Sequence, residues 1–191
     1  LASSDAPASR SAAAIDRAGR VRAARQLPSP NCDARPRGMP VDLLVVHNIS
    51  LPPGQYGGEA IVDLFLNRLD PDAHPFYAQL LALRVSAHFL VRRDGELIQF
   101  VPCGRRAWHA GVSSFGGRTR CNDFSIGVEL EGSDHDPFED AQYERLAALV
   151  RLLRSRYRLD HLAGHSDIAP GRKTDPGPHF DWPRLHAALA G

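Results

Sequence analysis

Residues 164–181, GHSDIAPGRKTDPGPHFD, hold two histidines, a lysine and several carboxylates in one short stretch. His165 and Asp175 have nine residues between them, Lys173 lies inside that interval, and Asp167 is a rival carboxylate. Pro170, Pro176 and Pro178 argue against a helix or a central strand here, because proline fixes φ and removes an amide donor. A loop pinned by prolines can bring these side chains to one point. Neutral imidazole and carboxylate are two of the usual ligands of catalytic zinc, which takes three protein ligands and keeps a fourth position open. The loop offers two. The third ligand, a proton carrier and a stabiliser for an oxyanion must come from elements elsewhere in the chain.

Those elements are readable from hydrophobic pattern. Residues 41–47, VDLLVVH, are almost wholly apolar and predict a strand buried on both faces, ending at His47. Residues 58–69 carry apolar side chains at helical spacing. Residues 86–92 and 96–101 predict two strands joined at Asp94-Gly95, a hairpin signal. Residues 103–122 form a long polar, Gly-rich loop around Trp108-His109. Residues 124–131, FSIGVELE, predict a strand with Ile126, Val128 and Leu130 on one face and Glu129 and Glu131 on the other. Residues 139–157 predict the longest helix, acidic at its start and Arg-rich at its end. Residues 161–164 predict a short strand, and Asp181 caps a last helix that tolerates Pro183 in its first turn. Residues 15–26 predict a short helix weakened by Gly19. The sum is an α/β single domain: a central mixed β-sheet flanked by helices.

Bulk properties narrow the function. The 191 residues suit one domain, with 43% hydrophobic and 24% charged residues. Residues 1–14 have little to bury and read as a disordered extension, leaving residues 15–191 as the folded domain. A formal charge of +1 gives no reason to expect a nucleic-acid or anionic-membrane partner. No apolar run approaches the length of a membrane span. No apolar segment follows Arg10, Arg17 and Arg20, so no export signal is read and a cytoplasmic location is expected. The chain begins with Leu, which leaves its true start open. Cys32, Cys103 and Cys121 lack a CxxC pair and fit a reducing compartment. The oligomeric state is open, with a monomer favoured.

Taken singly, His47 and His165 read as structural histidines. Taken with Asp175 they match the two-His, one-carboxylate pattern of zinc hydrolases. No HExxH motif is present, which excludes a zincin. Glu129 is the candidate proton carrier, and Glu131 on the same face is its rival. Gly127 and Gly132 favour Glu129 by suggesting that the chain turns away near Glu131. Lys173 either places positive charge near an oxyanion or pairs on the surface with Asp175 or Asp167. His88 lies inside a strand and reads as a core residue or one behind the ligands. His109 is a second choice, near substrate or metal. His74, His135, His161, His179 and His186 read as surface or structural. Cys103 or Cys121 as a nucleophile beside a histidine is a weaker reading.

The segments VVHNISLPPGQYGG, RVSAHFLVRRDGELIQFVP, RAWHAGVSSFGGRTRCNDFSIGVELEG and GHSDIAPGRKTDPGPHFDW resemble the AmpD-type bacterial N-acetylmuramyl-L-alanine amidases. The resemblance runs from about residue 15 to the C-terminus. It implies the fold shared with peptidoglycan-recognition proteins and Zn2+ held by His47, His165 and Asp175. It implies Glu129 as acid–base residue, Lys173 as oxyanion stabiliser, and substrate contacts at Asn48, Arg84, Ala107, Trp108 and Arg120. The implied substrate is a small muropeptide. The implied reaction is hydrolysis of the amide between 1,6-anhydro-N-acetylmuramic acid and L-alanine, in peptidoglycan recycling. Two rivals are an envelope amidase acting on intact peptidoglycan and a non-catalytic muropeptide-binding module of the same fold.

Overall fold

The computed structural model describes residues 15–190. The extension expected at residues 1–14 lies outside the described residues. Two short strands, β1 (Arg25–Gln26) and β2 (Cys32–Ala34), precede the long strand β3 (Leu43–Ile49). Helix α1 (Ala60–Phe65) and a 3-10 turn at Tyr77–Leu80 lead to β4 (Phe89–Val91) and β5 (Leu97–Gln99). The long loop contains β6 (Arg105–Ala107) and a ribbon of β7 (Ser114–Phe115) and β8 (Arg118–Thr119). Then come β9 (Ser125–Glu131), α2 (Asp140–Arg154), β10 (His161–Gly164), α3 (His165–Ile168) and α4 (Trp182–Ala190).

One mixed sheet runs in the order β1-β5-β4-β9-β3-β10. The β4–β5 hairpin is antiparallel, whereas β4, β9, β3 and β10 run parallel to one another. Their carboxyl ends therefore share one edge, where sites in parallel sheets are commonly built. Side chains alternate faces with period two. Leu44, Val46, Ile126, Val128 and Leu130 pack against Leu146, Leu149, Val150 and Leu153 of α2. Burying each of these large aliphatic side chains contributes about 1.5–3 kcal/mol. The opposite face carries Leu43 and Val45 against Ala110, Phe124 and Ala163. Further along it, Leu90 and Ile98 meet Ile61, Val62 and Phe65 of α1. Both faces of the central strands are thus covered.

The start of α2 is locked to the sheet. Gln142 accepts from the Glu139 amide at 3.0 Å, and its own amide group donates to the carbonyls of Val91 and Glu131. Asp181 caps α4 by accepting from the Arg184 amide at 2.9 Å.

One expectation changes. Residues 15–26 are not a helix: Ile15 bridges Val21, and β1 pairs in parallel with β5. The Val21 amide donates to Gln99 Oε1 at 2.8 Å, and Gln99 Nε2 donates to the Gly19 carbonyl at 2.8 Å. Gly19 has φ +88°, and a Cβ there would meet Tyr157 Oη at 2.6 Å. Long-range hydrogen bonds and a left-handed glycine thus replace a weak local helix propensity. The carboxylate face of β9 is buried like the apolar one: every residue of the strand is buried, with Glu129 8% and Glu131 2% exposed.

Candidate active site

His47 sits within β3, which continues past it to Ile49, and so is not the strand's last residue. Its Cα registers with Glu129 on β9, which places both side chains on one sheet face near the carboxyl edge. His165 follows β10 immediately as the first residue of α3. The Gly164 amide donates to Asp167 Oδ2 at 2.6 Å, so Asp167 serves the turn. The chain then reverses through Gly171, at φ +75°. The Ser166 amide donates to the Asp175 carbonyl at 2.8 Å, which returns Asp175 beside His165.

Three ligand-type atoms converge. His47 Nδ1 and His165 Nδ1 are 3.0 Å apart, and Asp175 Oδ2 lies 3.0 Å from each. A tetrahedral ion with ligand bonds of about 2.0 Å holds its ligands about 3.3 Å apart, so this triangle has the right dimension. His47 is 1% and His165 4% exposed, and the Asp175 side chain 14%. The donor chemistry fits a cation too. His165 Nε2 lies 3.2 Å from the Ala110 carbonyl, which can only accept. That contact is closer than the one to Arg172 Nη2, at 3.5 Å, and so favours the ring proton on Nε2, which leaves Nδ1 as a lone pair facing the triangle.

The electrostatics of the site follow from burial. Desolvation pulls the His47 imidazole down to about 4 against the opposing pull of the Asp175 carboxylate, so the ring is neutral near neutral pH. Burial pulls the Asp175 carboxyl upward, but the His165 and His47 rings 3.0 Å from it outweigh that and hold the group below its ordinary range. Glu129 is pushed well above the carboxylate range, first by burial and then by the charge of Asp175, with Lys173 opposing. Its Oε2 is buried without a hydrogen-bond partner. An orphaned carboxylate oxygen beside converging ligands is a group available for proton transfer.

A cleft of about 650 Å³ opens over Asp175, with Asn48, Asp134, His135, Arg172 and Lys173 among its lining. Lys173 is exposed there. The Asn48 amide group donates to Asp134 Oδ1 at 2.7 Å and to the Pro176 carbonyl at 3.0 Å. The other expected contact residues do not line this cleft. Ala107 is buried in β6, and half-buried Trp108 follows it, its amide donating to Ser86 Oγ at 3.2 Å. Arg120 is exposed, in a left-handed conformation, and pairs with Asp123 at 3.3 Å. Arg84 donates to the carbonyls of Leu81 and Leu83 in a separate groove shared with Leu64 and Leu69.

Several residues acquire roles that spacing did not announce. His109 is buried against His47, with Nδ1 2.9 Å from His47 Nε2. Gly127 makes room for it, since a Cβ there would meet His109 Cγ at 2.5 Å. The strand runs straight through Gly127, so that glycine serves the fit of His109 and marks no turn. Arg172 clamps the loop above the site by donating to the carbonyls of Ala110 and Val112, each at 2.7 Å. The cysteine alternative weakens: burial pushes the Cys103 thiol up to about 12 and raises that of Cys121.

Comparison with known proteins points to one family. A family model described as N-acetylmuramoyl-L-alanine amidase matches residues 37–178. The chain is 60% identical over 169 residues to the 1,6-anhydro-N-acetylmuramyl-L-alanine amidase AmpD of Salmonella typhimurium, covering 87% of this chain and 90% of that protein. A crystal structure of a selenomethionine AmpD derivative superposes with a TM-score of 0.89 at 56% identity, covering 92% of this chain and 98% of that one. The Escherichia coli amidase AmiD, solved with the substrate anhydro-N-acetylmuramic acid-L-Ala-D-gamma-Glu-L-Lys, superposes at 0.58 with 31% identity, covering 92% of this chain and 65% of that one.

Proposed function

The chain belongs to the N-acetylmuramoyl-L-alanine amidase family, and from that premise we propose that it hydrolyses the amide between 1,6-anhydro-N-acetylmuramic acid and L-alanine. The reading is carried by one observation: three ligand atoms converge at 3.0 Å in a chain 60% identical to an enzyme of that name. The ion would be Zn2+, held by His47, His165 and Asp175, a set of two imidazoles and one carboxylate that suits it. When bound, zinc supplies Lewis-acid character and acidifies water enough for it to lose a proton near neutral pH.

The chain's own residues do the rest. Glu129, buried on the same face as His47, takes the proton of the attacking water and delivers it to the departing L-alanine nitrogen. Burial and the Asp175 charge raise its pKa, which favours its holding the proton between the two transfers. Lys173 places positive charge beside the carbonyl oxygen as that oxygen becomes anionic. Asn48, Arg84, Ala107, Trp108 and Arg120 are proposed substrate contacts. Because both Asn48 amide hydrogens are engaged, it has only its oxygen to offer to a substrate N–H. The substrate is a soluble muropeptide of cell-wall recycling, and the cytoplasm is the proposed location. Among the described residues no helix is long and apolar enough to cross a membrane.

The test is cleavage of a soluble anhydromuropeptide and of intact peptidoglycan, before and after chelation. We expect the soluble substrate to be preferred and cleavage to vanish with the metal. Full activity in a strong chelator would contradict the metal reading. Preference for intact peptidoglycan would favour an envelope amidase, and metal binding without cleavage a binding module.

A further inference from the structure

Each metal-facing histidine has a second ring nitrogen, and the two are partnered differently. His165 Nε2 faces the Ala110 carbonyl, a group with no proton to give. His47 Nε2 instead faces His109 Nδ1 at 2.9 Å, and His109 Nε2 lies 3.1 Å from Ser125 Oγ. His47, His109 and Ser125 are 1%, 9% and 0% exposed, so bulk water is not an alternative partner.

A neutral imidazole carries one N–H, and this leaves two arrangements. If His109 donates from Nδ1, His47 must carry its own proton on Nδ1, facing the triangle, and cannot be a ligand. If His109 accepts, His47 donates from Nε2 and presents an Nδ1 lone pair to the ion. His109 then carries its proton on Nε2, aimed at Ser125 Oγ, which accepts. Only the second arrangement is compatible with a bound cation. Direction of donation along Ser125, His109 and His47 thus decides whether His47 can coordinate.

We propose that His109 is a positioning residue, which accepts the Nε2 proton of His47, donates in turn to Ser125 Oγ, and so holds His47 as an Nδ1 ligand. The inference rests on the zinc reading of the triangle. It accounts for the rest of the local design. The two rings meet at 85° with centroids 5.0 Å apart, and a side chain at Gly127 would displace the His109 ring. It also separates the two ligand histidines: a backbone carbonyl fixes one, and a ring with a choice of tautomer fixes the other.

The test is zinc titration against a competing chelator for the wild type, His109→Phe and His109→Gln, joined to nitrogen-15 imidazole spectra of the zinc-loaded wild type. His109→Phe keeps a ring of similar size but removes the acceptor, and it should bind zinc about 10–100-fold more weakly. His109→Gln restores an acceptor oxygen and should recover part of that loss. The spectra should show protons on Nε2 of both His47 and His109. Wild-type zinc affinity in His109→Phe, equal losses in both variants, or a proton on His109 Nδ1 in the loaded protein would each overturn the proposal. If His109→Phe does not fold, the spectra decide alone. A wild type that binds no zinc would overturn the metal reading itself, an outcome distinct from a loaded protein with the wrong tautomer.

Discussion

Glu129 and Glu131 are the same residue type, two positions apart on one face of one strand, and both are buried. Their surroundings divide that face into two regions. At the Glu131 end, Oε1 accepts from the Gly57 amide at 2.7 Å and pairs with Arg92 at 3.4 Å. Its Oε2 accepts from the Arg93 amide at 3.3 Å. At the Glu129 end, one oxygen has no partner, and the charges that act on the group are those of Asp175 and Lys173. Burial of a carboxylate is therefore not a functional signal by itself. A buried carboxylate with its hydrogen bonds complete builds structure, while one left incomplete beside ligand atoms is available to a reaction.

This contrast can be broken at several points, and the largest effect belongs to Asp175. Asp175→Ala removes a ligand and should lose zinc and amide cleavage together, read as metal content and product formation. Next, Glu129→Ala should retain zinc yet lower kcat by about 10²–10⁴-fold. Normal cleavage by that variant would pass the proton-carrier role to Glu131 or to water. The mirror substitution sharpens the comparison. Glu131→Ala should keep zinc and near-normal activity per folded molecule while losing about 1–3 kcal/mol of stability, measured by denaturant unfolding. Arg92 retains Glu59 and Glu96, so its charge is not left alone.

The smallest effect concerns pH. His88 is fully buried, accepts from the Gly127 amide through Nδ1, and is held well below the ordinary histidine range, first by desolvation and then by the Arg35 charge. Below about pH 6.5 the unfolded chain binds a proton there that the folded chain refuses. Stability at this site is unaffected above that pH and falls as pH drops below it, by about 1.4 kcal/mol per pH unit. Between pH 6.5 and 5.5 the stability lost should be smaller by about 1 kcal/mol in His88→Asn.

Much of the architecture was legible because it is local. β3, β9, the β4–β5 hairpin, α2 and α4 announce themselves through periodicity, a turn dipeptide and caps within each segment. Residues 15–26 did not, because their hydrogen bonds come from Gln99, 78 positions from Val21. The same division holds in the site. His165 and Asp175 stand out as ligand types in one proline-pinned loop, and His47 by its place in a buried strand. Glu129 and Glu131 share one alternation pattern, so what separates them lies outside the strand, in Arg92, Arg93 and Gly57. His109 sits in a polar loop with no periodicity, and its role depends on Gly127 and Ser125 of another element.

The central claim is that His47, His165 and Asp175 form one zinc site. It is tested most directly by anomalous diffraction at the zinc edge from crystals of the zinc-loaded protein. The account predicts a single strong peak bonded to His47 Nδ1, His165 Nδ1 and Asp175 Oδ2. A zinc-loaded, active protein with no peak there, or with its peak on other ligands, would contradict it.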